Sequence, residues 1–498
     1  MIETKPDSGP HPLPRRYGIF LLVLLATALV TRFQQFGNPI VHVDEQFYLL
    51  VGDRMLSGAL PYVDIWDRKP IGLFLIYAAI RELGGSGIIQ YQLVATGFAI
   101  ATAILVERLA ARFSGPRGAM LAAILYLLWI PLLTGQGGQS PVFYNMFVAV
   151  AALLVCRADE RSRSGFAFVM FGTGAMLAIG IALQIKYSPV SEGIFFGLAL
   201  LWIGIRAGRR WSLVAMATCW VVAALLPTIL AAASYWAIGH FGEYWFSNFV
   251  SIFQRHDLDK NDAWRNAASL SLYLAPLLVL SLHGAKLRHR QGAGDAARFV
   301  TLWLIVAIAS VAFFGYYFDH YGLPIVLPAA IGTATVLDRR PARTWPILIL
   351  LGALIGCLVL PTVNQHRRGT PKQFWQVAKT VAPYVPQGML VWDNLPVLYY
   401  VLDAALPTRY PFPTHLRDRN EIGAIGIDQP QELMRILDGH PAIVIVERGK
   451  PRAMVRQTTV MLLQRMARDY HEIAAIKVGR RDQLIFLWNG ARSPETHP

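Results

Sequence analysis

Apolar residues run along this chain in long unbroken stretches, and most charged residues fall between them. A run of about 17–25 apolar residues is the length that crosses a bilayer as a helix. Eleven runs approach or meet it: 17–36, 88–111, 118–134, 142–156, 166–183, 189–205, 211–237, 266–283, 299–315, 321–337 and 345–361. Ala122–Leu133 and Leu213–Leu230 are apolar on every helical face, which predicts burial in lipid or among other helices. After Pro361 the pattern changes. Strand-like runs at Met389–Trp392, Ala442–Val446 and Leu484–Trp488, with an amphipathic helix near Val455–Tyr470, predict a small α/β domain. The expected organisation is an N-terminal tail over 1–16, a membrane domain over 17–361 and an α/β domain over 362–498.

Composition agrees. With 54 % hydrophobic and only 15 % charged residues, the chain has too few charges to cover a soluble surface of this size. The net charge of +15 would suggest nucleic acid, but its distribution gives a different reading. With the N-terminus inside, the cytoplasmic connections hold Arg108, Arg112 and Arg117; Arg157, Arg161 and Arg163; Arg206, Arg209 and Arg210; Lys286, Arg288 and Arg290; Arg339, Arg340 and Arg343. The outer connections hold far fewer cations. That asymmetry is the positive-inside bias, so the excess encodes topology, N-in and C-out, and no nucleic-acid partner is expected. Arg15–Arg16 before the first run reads as the flank of an uncleaved first helix. Cys156, Cys219 and Cys357 fall in or beside apolar runs and read as small buried hydrophobes.

Candidate chemistry gathers in the outer connections. In the first of them, Phe47, Leu50, Val51 and Met55 lie at helical spacing behind Asp44–Glu45, and Gly58 and Pro61 follow as a stop. This predicts a short amphipathic helix lying in the interface. A second short helix is predicted from Pro70, directly after Lys69. Alone, Asp44 reads as a helix cap and Lys69 as an interfacial anchor. Together they place a carboxylate near a cation at a helix N-terminus, an arrangement suited to phosphate binding and base catalysis. Gln139, at the second outer turn, and Lys186 with Tyr187, at the third, offer further polar groups. In the loop from His240 to Trp264, Glu243, Arg255, Asp257 and Asp259 read as a solvated loop, with a cation site as the alternative.

These residues resemble a family. The Asp44–Glu45 pair, the segment from Tyr62 to Pro70 (YVDIWDRKP), the segment DHYGLPIVLP ending at Pro328 and the stretch from Val391 to Tyr399 are similar to motifs of the GT-C polyprenyl-phosphate-sugar glycosyltransferases. The branch is that of bacterial protein O-mannosyltransferases and lipid A aminoarabinose transferases. The resemblance implies inverting transfer of a sugar from a polyprenyl-phosphate donor to a hydroxyl of a lipid, saccharide or protein, at the periplasmic face of a bacterial inner membrane. It implies Asp44, with Glu45, as the catalytic acidic pair. It implies Lys69, with Arg68, Lys186 and His320, at the donor phosphate, and Asp67, Gln139, Tyr187 and Tyr321 at substrate. It implies either no cofactor or a divalent metal ion held by Asp44 and Asp67. This chain departs in one place: relatives often have an acidic residue before the lysine and two prolines after it, whereas Arg68 and Ile71 flank Lys69–Pro70 here. A nucleotide site is not expected, since no Gly-rich phosphate loop is present. The rival readings are a transporter or flippase for lipid-linked sugars, which would carry mid-membrane charges and repeated halves, and a non-catalytic envelope assembly protein.

Overall fold

A computed structural model describes residues 13–256, 260–290, 292, 294–339, 344–393, 395–449 and 456–492. Residues 1–12 of the expected tail, Asp257 and Asp259 of the candidate cation loop, Arg340, Arg343, Asn394 and Val455 lie outside the described residues. A helix lies at each of the eleven apolar runs: α1 (Leu13–Val30), then, beyond two short outer helices α2 (Val43–Leu56) and α3 (Ile71–Arg81), α4 (Ile88–Ala110), α5 (Pro116–Trp129), α6 (Ser140–Glu160), α7 (Gly165–Leu183), α8 (Val190–Arg206) and α9 (Leu213–Ala237). After the one-turn α10 (Phe241–Trp245) come α11 (Lys260–Arg290), α12 (Asp295–Phe314), α13 (Leu323–Leu337) and α14 (Thr344–Arg368). Nine of the described helices are long and apolar enough to cross a membrane. The apolar part of α1, Tyr17–Val30, and the 17-residue α8 are shorter.

Helix α13 is the centre of the bundle, packed by α5, α11 and α12, and every one of its residues except Pro324 is buried. Its small residues permit this. A Cβ at Gly284 on α11 would stand 2.2 Å from the Gly332 carbonyl oxygen, a backbone atom that cannot swing away, so glycine there allows the two helices to approach closely. Arg288, expected among the loop cations, is instead buried at the end of α11. It donates to the Gly332 carbonyl at 2.6 Å and lies over the Phe113 ring, which replaces the water it gives up.

Beyond α14, a four-stranded sheet has the order β1-β2-β4-β3, from β1 (Met389–Val391), β2 (Ile443–Glu447), β3 (Tyr470–Val478) and β4 (Arg481–Trp488). Strands β1 and β2 run parallel; β4 is antiparallel to both β2 and β3. Around the sheet lie α15 (Pro371–Val381), α16 (Val397–Val401), α17 (Gln429–Asp438) and α18 (Arg456–Asp469). Thr370 and Gln373 form a reciprocal capping box that starts α15 just after α14 ends.

The sequence places α2 correctly but misreads its surroundings. Instead of one apolar face, the unbroken stretch from Glu45 to Gly52 is buried. The reason is that α2 is enclosed on two sides. Below, Gly52 meets α3 so closely that an added Cβ would stand 2.7 Å from the Tyr77 and Ala78 backbone. Above, α16 packs on it, Phe47 meets the Phe412 ring edge-on at 5.1 Å, and Arg54 pairs with Asp403 at 2.7 Å. A bulkier residue at this contact overpacks the floor of α2. Gly52→Leu is expected to cost about 1–3 kcal/mol, seen as a lower unfolding midpoint in detergent; an unchanged midpoint would contradict the packing described.

Candidate functional site

The N-terminus of α2 is built by the sequence around one acidic residue. His42 is the N-cap: its Nδ1 accepts from the Asp44 amide at 3.3 Å. The Asp44 carboxylate lies 3.6 Å from that same nitrogen and 4.0 Å from Nε2 of His320. The two imidazoles meet edge to face at 5.5 Å. His320 arrives on the turn Asp319–Gly322 that leads into α13, and Tyr321 beside it supplies the ring face over which Lys186 places its ammonium, 4.3 Å from the centroid. Lys69 enters from the other side, its ammonium 5.8 Å from the Tyr48 ring on α2 and its carbonyl held by the Tyr62 hydroxyl at 2.8 Å. Four of the residues singled out from sequence (Asp44, Lys69, Lys186 and His320) therefore converge from three separate connections.

Charge compensation decides their states. Burial opposes ionisation of Asp44, but His42, Lys69, His320 and Lys186 together outweigh it and hold its pKa at about 2. Burial, reinforced by Lys69, brings Lys186 down to about 7. Burial holds the His42 imidazole at about 4 despite Asp44, so it is neutral at neutral pH. Glu45, the other half of the acidic pair, points elsewhere. A Cβ at Gly137 would stand 2.1 Å from its Oε2, and burial raises its pKa to about 8. Gln139, in the same turn, is buried with neither amide atom partnered among the described residues.

The remaining expected residues are held by protein. Arg68 turns its guanidinium onto Glu421, 353 residues away in the C-terminal domain, with two parallel hydrogen bonds, and its Nε donates to the Ser251 hydroxyl at 3.0 Å. Arg255 approaches the same carboxylate to 3.0 Å. Asp67 accepts from the Arg68 amide at 2.7 Å, and its carboxyl is raised by burial, with Lys69 opposing. Tyr187 donates to Asn248 at 2.9 Å. For a metal ion the described residues offer His42, Asp44 and His320, whose ligand atoms lie within 4.8 Å of one another; Asp67 is not part of this group. Two imidazoles and a carboxylate are a fitting donor set for a divalent ion such as zinc.

The fold has solved counterparts. ArnT of Cupriavidus metallidurans bound to undecaprenyl phosphate superposes over 95% of this chain and 98% of its own, with a TM-score of 0.66 at 15% identity. The oligosaccharyltransferase of Archaeoglobus fulgidus, tethered with an acceptor peptide, matches over 87% of this chain and 69% of its own, with a TM-score of 0.56 at 11% identity. The mycobacterial arabinofuranosyltransferase AftD matches over 96% and 42%, with a TM-score of 0.50 at 13% identity. The chain has the GT-C glycosyltransferase fold. No family model and no curated protein matches the sequence.

Two residues at this GT-C site escaped the sequence reading. His42 carried a signal, two positions before Asp44 at the N-cap, that the acidic pair overshadowed. Glu421 carried none, because its partner lies 353 residues away. Removing one member of a buried ion pair strands the other, at about 3–5 kcal/mol. Glu421→Gln is thus expected to lower the unfolding midpoint clearly. Arg68 above all, with Arg255, holds the Glu421 carboxyl, against its burial, at about 2, below its ordinary 4.5. The stability it contributes is present above about pH 4.5 and is lost as pH falls towards 2. A wild-type acid profile in the variant would count against this link.

Proposed function

We propose that this protein is an inverting glycosyltransferase that moves a sugar from a polyprenyl-phosphate carrier to a hydroxyl of a lipid, saccharide or protein acceptor, at the outer face of a bacterial inner membrane. The carrying observation is the convergence of Asp44, Lys69, Lys186 and His320 at one point, in a fold shared with an ArnT bound to undecaprenyl phosphate. The chemistry follows from these groups. The acceptor oxygen attacks the anomeric carbon as the bond from that carbon to the phosphate oxygen breaks, and the hydroxyl proton passes to Asp44. Negative charge grows on the departing polyprenyl phosphate, where Lys69 and Lys186 lie to meet it. His42 and His320 hold Asp44 in place. Periplasmic orientation rests on the arginine-rich inner connections. A divalent ion bound by His42, Asp44 and His320 would add positive charge beside the phosphate.

The first experiment is mass spectrometry of lipids retained by purified wild-type protein and by Asp44→Asn, both supplied with polyprenyl-phosphate sugars. The variant is expected to hold the intact donor and to turn over about 100–10,000-fold more slowly. Lys69→Ala is expected to lose both donor retention and turnover, because it meets the phosphate before and during transfer. If neither wild type nor variant retains a polyprenyl phosphate, the enzyme reading fails and the transport or assembly readings replace it.

A further inference from the structure

A second recess opens on the outer side, apart from the Asp44 cluster. It has a volume of about 360 Å³ and lies between the first outer connection, α10 with the turn after it, and the C-terminal domain. Tyr62 and Trp66 form its buried floor, Phe246 and Ser247 one wall, and Glu243 and Arg409 its rim. It is placed beside the phosphate-facing lysine, since Tyr62 is the residue that holds the Lys69 carbonyl. Its size falls at the small end of sites for small molecules, and its mixture of ring faces with a few polar groups is typical of them.

What sets the recess apart is its unspent hydrogen-bonding capacity. The Trp66 indole Nε1 and the Ser247 hydroxyl are both buried and have no hydrogen-bond partner among the described residues. Trp66 is 1% exposed and Ser247 0%. A buried donor left unpaired carries a desolvation penalty, which an arriving polar ligand would recover. The rim holds one carboxylate and one guanidinium, so the recess does not select for net charge. Glu243 lies 3.5 Å from His240, and Arg409 spends its Nε on the Tyr410 hydroxyl at 2.8 Å. Apolar ring faces, a fixed N–H donor, a hydroxyl and a balanced rim suit an uncharged polyhydroxylated ring. Its C–H face would pack on the part-exposed Phe246 ring and its hydroxyls would pair with the indole, the serine and the rim.

We infer that this recess binds a neutral sugar residue of the acceptor. The inference rests on the glycosyltransferase reading for its role, but not for its ligand. It implies that the acceptor carries saccharide near the hydroxyl that is glycosylated.

Saturation-transfer NMR on the full-length protein in detergent tests it, with the methyl glycosides of mannose, glucose and galactose as probes. At least one should bind saturably to wild type. Ser247→Ala with Glu243→Gln should weaken it by about three- to tenfold for each hydrogen bond lost, and Ser247→Thr, which keeps the hydroxyl, should restore most of the loss. Undecaprenyl-phosphate retention, measured on the same samples, should not change. That control also reports folding and separates the two readings: glycoside binding without lipid retention would overturn the enzyme reading and leave the sugar site standing. No saturable binding by any of the three glycosides, or binding indifferent to the substitutions, would overturn the sugar site.

Discussion

The outer half of this protein depends on one requirement: several charged groups are buried together, and each must be compensated where it sits. A carboxylate taken out of water is tolerated only when cations and hydrogen bonds replace the lost solvent. Asp44 meets this condition through the ammoniums of Lys69 and Lys186, supplied by different connections. Those connections stay in register because the C-terminal domain is fixed above them by a second compensated group, Glu421, shared between Arg68 and Arg255. Arg68 is the residue before Lys69, so the ion pair that seats the roof also sets the backbone that presents the lysine. The two clusters are mechanically one.

This arrangement explains where the sequence was legible and where it was not. The long apolar helices, nine of them among the described residues sufficient to cross a membrane, could be read because lipid demands that every backbone polar group be satisfied within a span, which writes such a helix as a continuous apolar run. The positions of Asp44 and Lys69 in the first outer connection were legible for a local reason, since each sits beside a helix start and those positions have sequence signatures. The surroundings of α2 were not legible. Its residues at helical spacing look amphipathic until α16 and Phe412, more than 350 positions away, cover the other face. The partner of Arg68 was illegible for the same reason: the residue was expected at the phosphate, and Glu421 holds its guanidinium. Long-range partners of this kind leave no trace in spacing or composition.

The departure of this chain from its relatives' motif also gains a physical account. An acidic residue directly before the lysine would face the Glu421 carboxylate at 1% exposure, a like-charge contact without solvent. Arginine at position 68 and glutamate at position 421 are a matched pair, so neither is expected to change without the other. The cost of the substitution falls on the metal set first expected there. Asp67 is engaged by the Arg68 amide, and the candidate ligands collect instead around His42 and His320.

The acidic pair itself divides its labour. Neighbouring carboxyls whose environments push their proton affinities apart take different roles. Glu45 is buried against the Gly137–Gly138 turn and raised to about 8, so it is neutral near pH 7. Being neutral, it adds no second negative charge beside Asp44 that the lysines would have to balance. Asp44, held at about 2, is ionised throughout the physiological range and always ready to accept a hydrogen bond. In the proposed reaction a carboxylate that acidic is a weak base, so it would align the acceptor hydroxyl more than pull the proton. The barrier would then be lowered mainly at the other end of the breaking bond, where Lys69 and Lys186 would receive the departing phosphate. On the proposed reading, the lysines carry more of the rate enhancement than the aspartate, and the roof that positions Lys69 is part of that machinery.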